Sequence, residues 1–238
     1  MIRRLFNALR MRYILHYGGE KYLNYLRSKG VKIGQGTTIG ENASSLQIDL
    51  SRPYLLEIGD NCRLNTGLVI MTHDFATMVF KNKYGELIPC SGKVKIGNNV
   101  YFGRQCTVLK GVTIGDNCIV GYGSVVMKDV PANSVVVGRP AKVICTLDEF
   151  FEKRKQKSLE ESLELAREIQ KKFHRRPVPE DFREEFVYFV SGGEVEKYPN
   201  LNIERELRTT GDCYDVWVAN HKAAFSSFDE FLKAAGID

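Results

Sequence analysis

The sequence lacks the features of several common classes of protein. Its 238 residues contain no apolar run close to the roughly 20 residues of a membrane-spanning helix. Six cysteines are present, but none forms a CxxC pair or another spacing typical of a metal site. The basic N-terminus lacks an apolar core and a cleavage site, so we expect no secretory signal. Together these absences predict a cytoplasmic protein in a reducing compartment.

A strong charge of one sign is also absent. The formal net charge of +5 suits an anionic ligand, but it is far from the balance typical of nucleic-acid-binding proteins. A hydrophobic fraction of 43% and a charged fraction of 26% indicate a globular protein. The length allows one main domain and a smaller appendage.

What the sequence does contain is a six-residue repeat. Six consecutive units begin at Val94: VKIGNN, VYFGRQ, CTVLKG, VTIGDN, CIVGYG and SVVMKD. The third residue of each unit is apolar, and a small or β-branched residue precedes it by two positions. This period fits neither an α-helix nor one continuous strand, and it is typical of a β-helix built from short strands. Residues two apart point to the same side of a strand, so both positions should face the interior, including Cys106 and Cys118.

Related units occur earlier in the chain, at residues 31–42 and, in a new phase, at 56–73. The period loosens over residues 43–55 and is broken by an excursion at about 74–93. A long excursion directly after His73 is typical of a lid or an active-site wall. The repeat ends with VPANSVVVGRPAKVI at residues 130–144. We therefore predict a β-helix domain over residues 30–145.

Both flanking regions are predicted to be largely helical. Residues 1–29 carry an apolar stripe among arginines, and two interpretations stay open. The segment packs across the end of the coil, which we favour, or it makes peripheral contact with an anionic membrane. Residues 146–238 are expected to form an α-rich appendage, with helix-start signals at Thr146, Ser158 and Ser227. The spacing leaves open whether 147–173 is one helix or two, and FVYFV at 186–190 is a candidate strand.

The phased repeats, the Thr72-His73 pair before the excursion and the ending at 130–144 resemble the hexapeptide-repeat acyltransferases. The nearest group is that of the maltose/galactoside and sugar O-acetyltransferases, and the resemblance covers roughly residues 31–145. It implies a mainly β fold, a left-handed parallel β-helix, to which the pattern of residues 1–29 adds an N-terminal helical cap. It also implies a homotrimer with sites between subunits and acetyl-coenzyme A (acetyl-CoA) as acyl donor, without a metal.

His73 is the candidate catalytic residue. Acyl transfer to a hydroxyl or an amine needs a base with a pKa near 7, which histidine has without perturbation. His73 lies in the repeat, whereas His16, His174 and His221 lie in the flanking regions. The resemblance implies that His73 is the general base of a direct transfer, with no acyl-enzyme.

A backbone carbonyl, Asp74 or Asn65 could hold the other ring nitrogen of His73 in place. Asn65 and Asp74 are also the candidate residues for binding the acceptor. The resemblance implies an oxyanion donor near Gly103–Arg104, and Tyr101 stands where many relatives have tryptophan. It further implies that coenzyme A lies along small residues and cations late in the coil: Gly121, Tyr122, Gly123, Lys128, Arg139 and Lys142.

The predicted function is O-acetylation of a sugar or polysaccharide precursor. The close alternative is N-acetylation of an amino sugar or a xenobiotic acceptor. A γ-type carbonic anhydrase would need three zinc-binding histidines, and the repeat has one. A non-catalytic trimeric binding protein is disfavoured by the histidine and by the coenzyme-binding ending.

Overall fold

The computed structural model describes residues 19–40, 43–209, 211 and 213–238. The chain divides into two compact units, residues 1–150 and 151–238, each with its own hydrophobic core. The finer division into 1–29, 30–145 and 146–238 stays a prediction. The arginine-rich stripe and His16 lie outside the described residues, so both interpretations of that stripe also stay predictions.

The described strands of the first unit form three sheets, which we call the first, second and third face. The first face contains β1 (Lys32–Ile33), β4 (Leu56–Ile58), β7 (Val94–Ile96) and β10 (Thr113–Ile114). The second contains β2 (Thr38–Ile39), β5 (Arg63–Leu64), β8 (Val100–Phe102), β11 (Cys118–Val120), β13 (Ser134–Gly138) and β14 (Ala141–Thr146). The third contains β3 (Gln47–Ile48), β6 (Val69–Ile70), β9 (Thr107–Val108) and β12 (Val125–Val126).

Successive strands along the chain lie on successive faces, so each turn of the coil contributes three strands. Every third strand pairs in parallel with the one a turn earlier, as Ile96 does with Ile58 and Ile114 with Ile96. Among the described pairs of strands, only β13 and β14 are antiparallel. The predicted parallel coil is therefore confirmed. The inward positions are buried as expected: Ile96, Phe102, Val108, Ile114, Val120 and Val126, with Cys62, Cys106 and Cys118.

The corners between consecutive strands require residues such as asparagine and glycine. Asn61, Asn99, Asn117 and Asn133 have φ of 54°, 54°, 56° and 57°, a left-handed conformation that asparagine tolerates. The side chains of the last three form a ladder, since Asn99 donates to Asn117 (2.9 Å) and Asn117 to Asn133 (3.1 Å). Gly103 has a different role: a Cβ there would lie 2.5 Å from the backbone nitrogen of Tyr122 on the next turn.

One end of the coil is covered by helix α1 (Glu20–Ser28), as predicted for this part of the N-terminal region. Tyr22, Leu23 and Leu26 are buried in the same core as the coil interior. Arg27 donates to the backbone carbonyls of Ile33 (3.2 Å) and Gly34 (3.0 Å), which fixes the helix against the first turn.

The excursion contains helix α2 (Thr77–Tyr84), which has no buried residue. Gly85 ends it in the left-handed conformation. The two ends of the excursion lie side by side, because Gly92 donates to the carbonyl of Thr72 (2.9 Å) and His73 bridges to Ser91.

The long helix α3 (Leu147–Phe173) leads from the coil into the second unit as one continuous helix. The capping box at its start is confirmed: Thr146 and Glu149 exchange hydrogen bonds of 2.8 and 3.2 Å. The start signal at Ser158 was wrong, because this residue lies in mid-helix and its hydroxyl contacts Tyr188. No described helix is long and apolar enough to cross a membrane.

The second unit continues with α4 (Ile203–Arg208), α5 (Tyr214–Asn220) and α6 (Phe228–Ala234). The cap of α6 is as predicted, with Ser227 accepting from the N–H of Glu230. The predicted strand at 186–190 was wrong, since residues 185–188 form a 3₁₀ turn. Phe186, Phe189 and Val190 are buried at helical rather than alternating spacing. They pack in an aromatic core with Phe182, Phe228 and Phe231.

Candidate active site

His73 lies where the second turn of the coil leaves β6 and the excursion begins. Its side chain is 17% exposed. The imidazole packs edge-to-face against Phe75, with ring centroids 5.1 Å apart. Because the preceding Thr72 is completely buried, the histidine sits on a rigid part of the scaffold.

The partner of His73 is Asp49, which follows β3 one turn earlier on the same face. The carboxylate oxygen Oδ2 of Asp49 lies 2.5 Å from Nδ1 of His73. The same oxygen accepts hydrogen bonds from the N–H (3.0 Å) and the hydroxyl (2.6 Å) of Thr72. Oδ1 accepts from the N–H and the hydroxyl of Ser51, at 3.0 and 2.7 Å. This network fixes the carboxylate from both sides.

The hydrogen bonds determine the protonation of the pair. Burial by itself raises the pKa of Asp49, but the bonds from Thr72, His73 and Ser51 outweigh it and hold the pKa well below its usual value. Asp49 is therefore ionised at neutral pH and can only accept. Nδ1 of His73 must be the donor, so in the neutral ring the lone pair is on Nε2. A general base needs this tautomer.

The two side chains that we expected to orient His73 do not do so. Asp74 points to Lys110 instead, and the two form an ion pair that lowers the pKa of Asp74 and raises that of Lys110. The thiol of Cys90, at the far end of the excursion, contacts both groups. Asn65 donates to the backbone carbonyl of Phe102 (2.8 Å), which ties one turn to the next.

The predicted coenzyme residues are divided between parts of the coil. Most follow β8, β11 or β13 and form a column where the second face meets the third: Gly103, Arg104, Gly121, Tyr122, Gly123 and Arg139. The acceptor candidate Asn65 follows β5 at the same edge, one turn earlier. Within this column, Gly123 donates to the carbonyl of Arg104 (2.9 Å), and Arg139 donates to that of Gly123 (2.5 Å).

The remaining predicted residues lie elsewhere. Tyr101 is on β8, 47% exposed, and Lys142 is on β14. Lys128 follows β12, so it lies where the third face meets the first, at the same edge of the coil as His73 and Asp74. The histidine and the glycine column thus occupy different edges of one chain.

A pocket of about 390 Å³ opens beside His73, within the range of small-molecule sites. It is lined by residues of β3 and β6 and of the start of the excursion: Gln47, Ile48, Asp49, Val69, Ile70, Met71, His73, Asp74 and Phe75. Among the described residues that line it, none belongs to the predicted coenzyme column. The pocket combines apolar walls with one polar corner, which the histidine and two carboxylates form.

Sequence reasoning missed Asp49, Ser51 and Phe75. The first two lie in the stretch where the repeat loosens. A signal was present, since Leu46 and Ile48 keep the two-residue spacing of an inward pair and both pack in the coil core. Asp49 directly follows that pair, as Met71 follows the inward pair of the next turn.

Three parallel faces and a six-residue period define a hexapeptide-repeat coil, and the histidine at one of its corners marks the candidate site. The family described as bacterial transferase hexapeptide, six repeats, matches residues 93–128. Protein CapG of Staphylococcus aureus is 40% identical over 119 residues, 48% of this chain and 69% of that protein. The chain belongs to the hexapeptide-repeat acyltransferases.

Two further relatives illustrate the similarity. Galactoside O-acetyltransferase of Escherichia coli K12 is 38% identical over 114 residues, 47% of this chain and 54% of the relative. A maltose O-acetyltransferase structure from Clostridium difficile 630 is 28% identical, with a TM-score of 0.42, over 53% of this chain and 75% of that one. The similarity to each of these relatives thus covers about half of this chain and leaves the rest outside it.

Proposed function

We propose that this protein transfers an acetyl group from acetyl-CoA directly to a hydroxyl of a sugar or polysaccharide precursor, with His73 as general base. Nε2 of His73 takes the hydroxyl proton as the oxygen attacks the thioester carbonyl. The C–O bond forms, the C–S bond breaks, and the proton passes to the departing thiolate to give free coenzyme A. A backbone N–H near Gly103–Arg104 stabilises the oxyanion of the intermediate.

The observation that carries this proposal is the Asp49–His73 pair. A carboxylate that can only accept fixes the imidazole in the tautomer with a basic Nε2, at the wall of a pocket. Asp49 also stabilises the imidazolium that forms during the transfer, because its negative charge is adjacent. A histidine that merely packed on the surface would not need this network of five contacts.

The arrangement of the residues supports a site shared between subunits. His73 and the glycine column occupy different edges of one coil, so a thioester lying along the column needs the histidine of another copy. We therefore propose a homotrimer of left-handed coils, in which each site lies between two subunits. The cytoplasm is the proposed compartment, because it contains acetyl-CoA and keeps the six free cysteines reduced.

The sugar class of the acceptor is supported by the relative named as galactoside O-acetyltransferase, which is 38% identical. Asn65 and Asp74 remain proposed acceptor-binding residues. Tyr101, Gly121, Tyr122, Gly123, Lys128, Arg139 and Lys142 remain proposed coenzyme-binding residues. The exposed cations among them would neutralise the phosphates of coenzyme A.

The test is a screen of sugar, amino-sugar and antibiotic acceptors with acetyl-CoA, following the release of free thiol. We expect transfer to a sugar hydroxyl, and we expect His73→Ala to lower kcat by about 100-fold or more. Preserved secondary structure and oligomeric mass of His73→Ala serve as the control for folding. Transfer only to amines would favour the N-acetyltransferase alternative. Absence of both thiol release and coenzyme-dependent thermal stabilisation would contradict the proposal.

A further inference from the structure

Along the axis of the coil, the pocket beside His73 lies toward the first turns. Its walls come from β3 and β6, in the first two turns, and from the start of the excursion. The proposed coenzyme residues all come from the third and later turns. A thioester that reaches His73 from those later turns leaves the pocket free for the other reactant.

Phe75 is the feature of this pocket that most needs an explanation. Its side chain is 76% exposed, although it is large and apolar. It is also anchored, because its ring packs at 76° against the imidazole of His73 and because Asp74, next to it, is paired with Lys110. An exposed aromatic ring held at the rim of a pocket is typical of a ligand-binding surface.

An aromatic face carries negative electrostatic potential and attracts C–H edges. A pyranose ring presents such C–H groups on one face and hydroxyls around its rim. Stacked on Phe75, a pyranose would keep its polar rim free to approach His73. An open-chain alcohol has no flat apolar face, so it would gain much less from this contact.

The charged groups that line the pocket disfavour an anionic acceptor. Its ionisable lining groups are His73 and the carboxylates of Asp49 and Asp74, and no Lys or Arg is among the described residues that line it. The ammonium group of Lys110, which does not line the pocket, is paired with Asp74. An anionic sugar would therefore meet two carboxylates without a free cation to offset them.

We propose that this pocket is the acceptor subsite, and that Phe75 gives it a preference for a neutral pyranose ring over anionic sugars and open-chain alcohols. This inference deepens the proposed function and rests on it. Phe75 affects which acceptor binds, whereas His73 takes the proton during the transfer. Its effect should therefore appear in the KM for the acceptor and not in the KM for acetyl-CoA.

The experiment compares initial rates with acetyl-CoA and four acceptors: methyl glucopyranoside, methyl galactopyranoside, methyl glucuronide and sorbitol. We expect at least one neutral pyranoside to exceed both glucuronide and sorbitol in kcat/KM by about tenfold. Phe75→Ala should raise the KM for that pyranoside by about tenfold and leave the KM for acetyl-CoA unchanged. Phe75→Trp, which keeps an aromatic face, should stay within about threefold of the wild type.

The matched control is Tyr84→Ala. Tyr84 is an exposed aromatic residue of the same excursion, but it does not line the pocket. This variant should keep the wild-type KM for both substrates. Equal KM values for Phe75→Ala and the wild type would overturn the inference, and so would a rise in the KM for acetyl-CoA alone. A wild-type protein that releases no thiol with any acceptor would contradict the proposed function itself, and the inference with it.

Discussion

At the scale of single residues, the proposed chemistry depends on Asp49 more than on any side chain next to His73 in sequence. The carboxylate reaches Nδ1 from the neighbouring turn, and Thr72 and Ser51 hold it in place. Asp49 can hold His73 although the two are far apart in sequence, because strands that stack in register bring them together. The catalytic tautomer is thus a consequence of the stacking of β3 on β6.

Asp49→Asn should lower kcat by about 100-fold or more, because an amide can present its NH₂ group to Nδ1 and favour the wrong tautomer. The KM values should change little, since Asp49 serves His73 and not the substrates. Thiol-release kinetics measure both parameters. Asp60→Asn is the matched control, because Asp60 is a corner carboxylate that accepts from a backbone N–H, that of Gln35. Wild-type turnover in Asp49→Asn would exclude the proposed role.

The same substitution should also change the response of stability to acid. The pKa of Asp49 in the folded protein lies below the unfolded value of 3.8, so its stabilisation is complete above that pH. The stabilisation is lost as the pH falls through the lower, folded value. At pH 5 we expect Asp49→Asn to be less stable than the wild type by about 2 kcal/mol.

Urea unfolding at fixed protein concentration, between pH 5 and pH 3, measures this difference. The gap between wild type and Asp49→Asn should be constant near pH 5 and should shrink below about 3.8. A gap that grows as the pH falls over this interval would contradict the linkage.

At the scale of elements, the corners of the coil are as demanding as its strands. Asn117 adopts φ 56° and forms two rungs of the asparagine ladder. Asn117→Gly keeps the backbone conformation and loses the rungs, so we expect a loss of about 1 kcal/mol. Asn117→Ala also strains the backbone, so we expect a further loss of about 1 kcal/mol. Chemical unfolding of the two variants separates the loss of the hydrogen bonds from the backbone strain. Equal stabilities of Asn117→Gly and Asn117→Ala would contradict the expected cost of strain.

The elements also show how far the sequence alone could predict the structure. The coil was predictable because inward pairs such as Val94 and Ile96 recur with one period and face one core. The strand over 186–190 was mispredicted because composition there suggests a strand, whereas packing around Phe189 requires a turn of helix. The position of His73 beside a pocket could be expected from its place at the end of a repeat, and its catalytic role stays a prediction. Asp49 was not predictable, because it belongs to the turn in which two 3₁₀ segments obscure the period.

At the scale of the whole molecule, the division of the site between two edges of the coil leads to a test by complementation. His73→Ala should destroy the base and leave the coenzyme column intact. The double variant Arg139→Glu, Lys142→Glu, which spares Lys128 because that residue lies at the edge of His73, should repel the phosphates of coenzyme A and leave the histidine edge intact. Each variant alone should form an inactive oligomer.

Co-expression of the two variants, purified through two different affinity tags, should restore activity. If each site takes its histidine from one subunit and its coenzyme column from a neighbour, every cyclic trimer that contains both variants combines two intact halves at one of its three sites, about a third. Thiol release by the mixed oligomer should therefore approach about a third of the wild-type rate. Mixing the separately assembled variants without subunit exchange is the control and should give no activity. If the mixed oligomers were also inactive while each still formed trimers, both halves of the site would have to lie in one chain, and the shared site would be excluded.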